Sequence, residues 1–86
     1  MNRKNDEFYM DLALEQARLA YALNEVPIGC VIVVEDQVVA AAHNLCEAYG
    51  DPLAHAEILA IKAAQEKLGF RNLTAARLYV TIEPCP

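Results

Sequence analysis

Between Asp6 and Leu23 the run "DEFYMDLALEQARLAYAL" places Tyr9, Leu12, Ala13, Ala17, Ala20 and Leu23 on one stripe, with polar residues between them. Apolar positions recurring at helical spacing predict an amphipathic helix that turns this stripe toward a core. Asn5 or Asp6 can accept a hydrogen bond from the first free N–H groups, and Asp6 and Glu7 suit the positive end of the helix dipole. Asn24 followed by Pro27 ends the element.

The periodicity then changes. "GCVIVV", Gly29 to Val34, is a β-branched run without alternation, which predicts a strand covered on both faces. Glu35, Asp36 and Gln37 make a polar turn into "VVAAAH", Val38 to His43, so the two runs predict a hairpin whose turn lacks the usual glycine. "NLCEAYGDPL", Asn44 to Leu53, reads as a loop rich in turn-forming residues. A second helix is predicted from Ala54 to Leu68, with Ile58, Leu59, Ile61 and Leu68 apolar and Gly69 closing it. "RLYVTIE", Arg77 to Glu83, predicts a third strand. A helix between the last two strands predicts a right-handed parallel crossover, and the whole predicts one domain built on a mixed α/β sheet layered with helices.

Composition narrows the function classes. At 86 residues, 56% of them hydrophobic, the chain has the make-up of one small globular core and not of a disordered segment. The start "MNRKNDEFYM" lacks the apolar stretch of a signal peptide, and no window reaches the ~18 apolar residues of a membrane span. Cys30, Cys46 and Cys85 are an odd set without tight spacing, which favours free thiols or a metal ligand in a reducing compartment over a disulfide framework. The formal charge of −5 would repel a phosphate backbone unless basic groups cluster or further sequence supplies them.

Two motifs offer chemistry. In "HAE", His55 and Glu57 would lie about 200° apart within a helix, so they share no face there. At a helix's first turn, however, both can reach a point off its end. "EPCP", Glu83 to Pro86, follows the third strand, with Pro84 suited to the first position of another helix and Cys85 facing the positive end of its dipole, which favours a thiolate. An imidazole and a thiolate from two such helix starts would form a zinc-type ligand pair. Read singly, each motif is better explained by capping or packing.

Together the motifs resemble the zinc-dependent nucleobase deaminases, whose signature is H-x-E followed by P-C-x-x-C. "EVPIGCVIV", "AHN", "DPLAHAEILAI" and "LYVTIEPCP" are similar in order and spacing to the bacterial tRNA-specific adenosine deaminases. The resemblance implies a three-layer α/β/α cytidine-deaminase-like fold and hydrolysis of adenosine to inosine in a tRNA anticodon loop. It also implies a cytoplasmic homodimer with no membrane contact. It makes His55 and Cys85 ligands of Zn2+ and Glu57 the proton shuttle between the attacking water, the base and the leaving ammonia. By the same resemblance Asn44 binds the base or its sugar, and Ile28 lies where a loop packs against the base.

One departure stands out. The family pattern has a further cysteine three positions after Cys85, whereas this chain ends at Pro86. Cys30 reads as buried in the first strand, Cys46 as a loop residue near Asn44 and His43 as a strand end, so none is an obvious substitute. The expectation is an N-terminal portion of a deaminase, inactive alone, with the edge of its third strand exposed to aggregation. Two other readings stay open. One is a related deaminase of a free base, nucleoside or nucleotide such as guanine or cytidine, and the other is an inactive fragment or interaction module.

Overall fold

The computed structural model describes residues 5–46, 50, 55–69 and 75–82. Five elements follow in chain order: α1 (Asp6–Ala22), β1 (Ile28–Val34), β2 (Gln37–His43), α2 (Ala56–Leu68) and β3 (Arg77–Ile82). The sheet order is β2-β1-β3, and both hydrogen-bonded pairs are antiparallel. β2 and β3 therefore run parallel to each other, as a helix-linked crossover requires, but β1 lies between them. The most apolar strand takes the centre, where both its edges are paired and both its faces covered. Among the described strands, β2 and β3 form the two edges.

Alternation along β1 divides the core. Cys30 and Ile32 face the α2 side, where Ala40, Ala56, Ala60 and Ala64 are buried with them. Val31 and Val33 face the α1 side with Tyr9, Ala13 and Tyr79. The result is a three-layer α/β/α arrangement, as the resemblance implies. On the α1 side the Tyr9 and Tyr79 rings are 5.3 Å apart, and the Tyr79 hydroxyl donates to Asp6 Oδ1 at 2.5 Å, tying β3 to the start of α1.

Both helices meet the sheet through alanines. α1 buries Ala13, Ala17 and Ala20 beneath Tyr9, while Leu23, at the end of the expected stripe, is 55% exposed as the C-cap. α2 buries Ala56, Ala60 and Ala64, whereas Ile61 is 44% exposed and Ile58, Leu59 and Leu68 are only half-buried. Short side chains let the backbones approach closely, so the seam follows size more than hydrophobicity. Gly29 marks the tightest point: a Cβ there would sit 2.0 Å from Ala13 O and 2.4 Å from Ala17 N.

The connections follow backbone chemistry. Asn24 is left-handed (φ 61°) and donates to Tyr21 O, while Glu25 N–H donates to Ala20 O, which together close the last turn of α1. The β1–β2 hairpin turns through Glu35 (φ 51°) and Asp36 (φ 61°), a two-residue loop with positive φ at both positions. This twist matches that of the flanking strands, which explains why a hairpin forms there without glycine. A register shift opposite Ile32 and Val33 leaves Val39 as an extra residue in β2. Among the described residues, no helix is long and apolar enough to cross a membrane.

Candidate active site at the start of α2

α2 begins later than expected, at Ala56, and His55 is its N-cap with extended backbone (φ −78°, ψ 149°). The usual task of an N-cap side chain is to accept from an N–H of the first turn, and His55 makes no such bond. The cap comes instead from twelve residues upstream: Asn44 Oδ1 accepts from Ala56 N–H at 2.7 Å. Asn44 is itself 3% exposed, and its own N–H donates to Ile28 O at 3.2 Å. One chain of hydrogen bonds thus joins the start of β1, the end of β2 and the first residue of α2. It leaves the exposed His55 imidazole free of capping duty.

Glu57 occupies the second helical position, half-buried, with Oε1 buried and without a hydrogen-bond partner among the described residues. An acceptor that gives up water without a partner is destabilising, so its retention calls for a ligand or a reacting group. Cys30, fully buried in β1, has its pKa pushed up to about 12, first by burial and then by the charge of Glu57. Its thiol therefore stays neutral near pH 7, as a core residue and not a thiolate ligand.

The expected residues fall into place unevenly. His55, Glu57 and Asn44 converge on one helix start. Ile28 joins them through its carbonyl oxygen, while its side chain packs against the apolar cluster on the α2 side of the sheet. His43 ends β2 as expected, its Nδ1 3.1 Å from Asn44 O. Cys85, together with Glu83 and Pro84, lies outside the described residues, as do Ala54 and most of the loop before it. Cys46, which follows Asn44 by two residues, has its Sγ 3.9 Å from His55 Nδ1. The two lie nine positions apart in the chain, a spacing that gives no sign of the contact. Among the described residues no three His, Cys, Asp or Glu side chains converge as a metal site.

Residues 3–86 match the family described as the cytidine and deoxycytidylate deaminase zinc-binding region. The chain belongs to this family. Within it, the chain is 46% identical over 79 residues to a tRNA-specific adenosine deaminase of Aquifex aeolicus, a match that covers 92% of this chain and 52% of the relative. Among solved structures it is similar to one from work on A-to-I editing by tRNA:A34 deaminases at the wobble position, with TM-score 0.83 and 47% identity, covering 92% of this chain and 61% of that one. It is also similar to guanine deaminase from Bacillus subtilis, with TM-score 0.83 and 34% identity over 96% and 54% of the two chains. The chain spans about half the length of the curated relatives it matches.

The described residues fit the zinc that this deaminase family is named for. The fit rests on an imidazole excused from capping and on a buried carboxylate oxygen that lacks a partner among the described residues.

Proposed function

We propose that this protein serves the zinc-dependent hydrolytic deamination of adenosine to inosine at the wobble position of a tRNA anticodon. The observation that carries the reading is the start of α2, where Asn44 caps the helix and His55 and Glu57 are left for chemistry. His55 would hold zinc through an imidazole nitrogen, and Cys85 would be the second ligand. When bound, zinc supplies activation of water as a nucleophile at neutral pH.

The protein's own residues then divide the work. Glu57, at the same helix start and buried at Oε1, would carry the two protons of the attacking water in turn, the first to the ring nitrogen of the base and the second to the amino group that departs as ammonia. Its partial burial holds it in place and keeps bulk water from competing for the proton. Asn44 has committed Oδ1 to Ala56, so its amide N–H group is what it can offer a base or sugar. Ile28, whose carbonyl oxygen accepts from the Asn44 N–H, would pack against the base. The target adenosine must be unstacked to reach these groups. A cytoplasmic homodimer acting on the anticodon loop belongs to the same proposal.

A second reading is favoured by one observation: the guanine deaminase structure is as close in shape as the A34 deaminase, at lower identity. Deamination of a free purine would use the same His55 and Glu57. Incubating the complete protein that carries this chain with an anticodon stem-loop, with adenosine and with guanine, and following product by mass spectrometry, separates the two. Inosine formed in the stem-loop alone is the expected result, and xanthine from guanine overturns the tRNA reading. Glu57→Gln should retain zinc and lose about 10²- to 10⁴-fold in turnover, and unchanged turnover removes Glu57 from the reaction.

A further inference from the structure

We infer that His43 is a positioning residue for the substrate, its ring fixing the Asn44 carbonyl so that the Asn44 amide N–H group is held toward the base or its sugar. This rests on the proposal that Asn44 binds the substrate. His43 Nδ1 lies 3.1 Å from Asn44 O. A carbonyl oxygen can only accept, so Nδ1 carries the proton and, in the neutral ring, Nε2 keeps the lone pair. His43 stands opposite Gly29 in the register of β1 and β2. Directly paired residues share a face of the sheet, and Gly29 is the point where α1 meets it, so His43 lies on the α1 side, across the sheet from α2. Its influence on the start of α2 therefore runs through Asn44.

Asn44 has four hydrogen-bonding groups, and three of them are held. Its N–H donates to Ile28 O at 3.2 Å, its carbonyl accepts from His43, and its Oδ1 accepts from Ala56 N–H at 2.7 Å. The first bond restrains the peptide plane before Asn44 and the second restrains the plane after it, so together they fix both soft backbone dihedrals and with them the direction of Cβ. The third turns the side-chain oxygen toward α2 and thereby orients the nitrogen beside it. Among the described residues the amide nitrogen alone is left uncommitted, and it is the donor the proposed function gives to the substrate. Asn44 is 3% exposed, so a carbonyl released from His43 meets little water, and the backbone must turn to satisfy it. That turn moves the amide. The imidazolium also carries a proton on Nδ1, so the bond survives in either charge state of the ring.

The test uses the complete protein that carries this chain, with an anticodon stem-loop as substrate, and compares His43→Leu, His43→Asn, Asn44→Asp and the double variant His43→Leu with Asn44→Asp, each checked for a cooperative melt. Loss of the bond in His43→Leu should raise KM by about 2- to 10-fold, the worth of one hydrogen bond, with kcat and zinc affinity unchanged. His43→Asn, whose amide nitrogen can stand where Nδ1 stood, should restore KM. In the Asn44→Asp background, where the donor is already gone, His43→Leu should add nothing further. A KM unchanged in His43→Leu, or effects that multiply in the double variant, overturns the inference, because His43 then does not act through the Asn44 amide. Nitrogen-15 spectra of the unmodified protein check it without any variant: the neutral His43 ring should carry its proton on Nδ1, and a proton on Nε2 overturns the assignment. If Asn44→Asp alone keeps the KM of the parent, the reading of Asn44 as a substrate-binding residue fails, an outcome distinct from a failure of His43.

Discussion

The two helices of this protein start in different ways. α1 is capped locally: Asn5 Oδ1 accepts from Phe8 N–H at 3.0 Å, and the residue that begins the helix also secures it. α2 is capped remotely, by Asn44 from the end of β2, while its own N-cap residue is a histidine that bonds none of its first-turn N–H groups. Local capping is the economical solution and serves stability alone. Remote capping ties the helix to the sheet and frees the N-cap position for another chemistry. The difference explains how a histidine, a poor cap, can stand where Ser, Thr, Asp or Asn is favoured.

The packing differs in the same sense. The α1 side of the sheet is closed by aromatic rings and by the backbone contact at Gly29. The α2 side buries small side chains next to a buried carboxylate oxygen. The largest effect should therefore come from forcing the closed side apart. Gly29→Ala pushes a Cβ into the α1 backbone, which cannot rotate away, and should destabilise the fold by about 3 kcal/mol or more, read as loss of the cooperative melt.

The α2 side should respond to pH. The folded pKa of Cys30, about 12, lies above its ordinary 9.0. Its contribution is thus complete below pH 9.0 and falls as pH rises toward 12, because the unfolded chain releases the thiol proton first. Urea midpoints across that window should decline in the parent more steeply than in Cys30→Ala.

The caps should separate cleanly. Asn44→Ala leaves the Ala56 N–H without its partner and should cost about 1 to 3 kcal/mol together with metal affinity, whereas Asn44→Asp keeps an acceptor and most of the stability. Asn5→Ala should cost about 1 kcal/mol and leave metal affinity unchanged. Parallel melting and zinc competition on the three variants check this. The smallest effect should be a gain: Glu35→Asn with Asp36→Gly suits the positive φ of both turn residues and should add about 1 kcal/mol, seen as a higher melting temperature.

Much of this was legible in the sequence, for identifiable reasons. α1, its Asn5 cap and the hairpin follow from patterns local in the chain, and so does the closing Gly69, whose φ of 82° suits glycine. The alanine seam of α2 was not legible. Ile58, Leu59, Ile61 and Leu68 dominate any hydrophobicity pattern, but the position of the sheet selects Ala56, Ala60 and Ala64 because only small residues permit the approach. The pairing of β3 with β1 depends on which strand has a free edge, which no local pattern states. His55 and Glu57 were legible as an H-x-E motif at a helix start. The remote cap by Asn44 and the approach of Cys46 to His55 join residues twelve and nine positions apart, so no local pattern announces them.

The proposal that His55 holds zinc rests on Asn44 capping α2 in place of its own N-cap residue. His55→Asn tests it most directly, with metal-free melting and zinc affinity measured on the same sample. The account predicts a metal-free protein at least as stable as the parent, by up to about 1 kcal/mol from the restored local cap, and loss of zinc binding. A destabilised metal-free variant, or one that binds zinc as tightly as the parent, would contradict it.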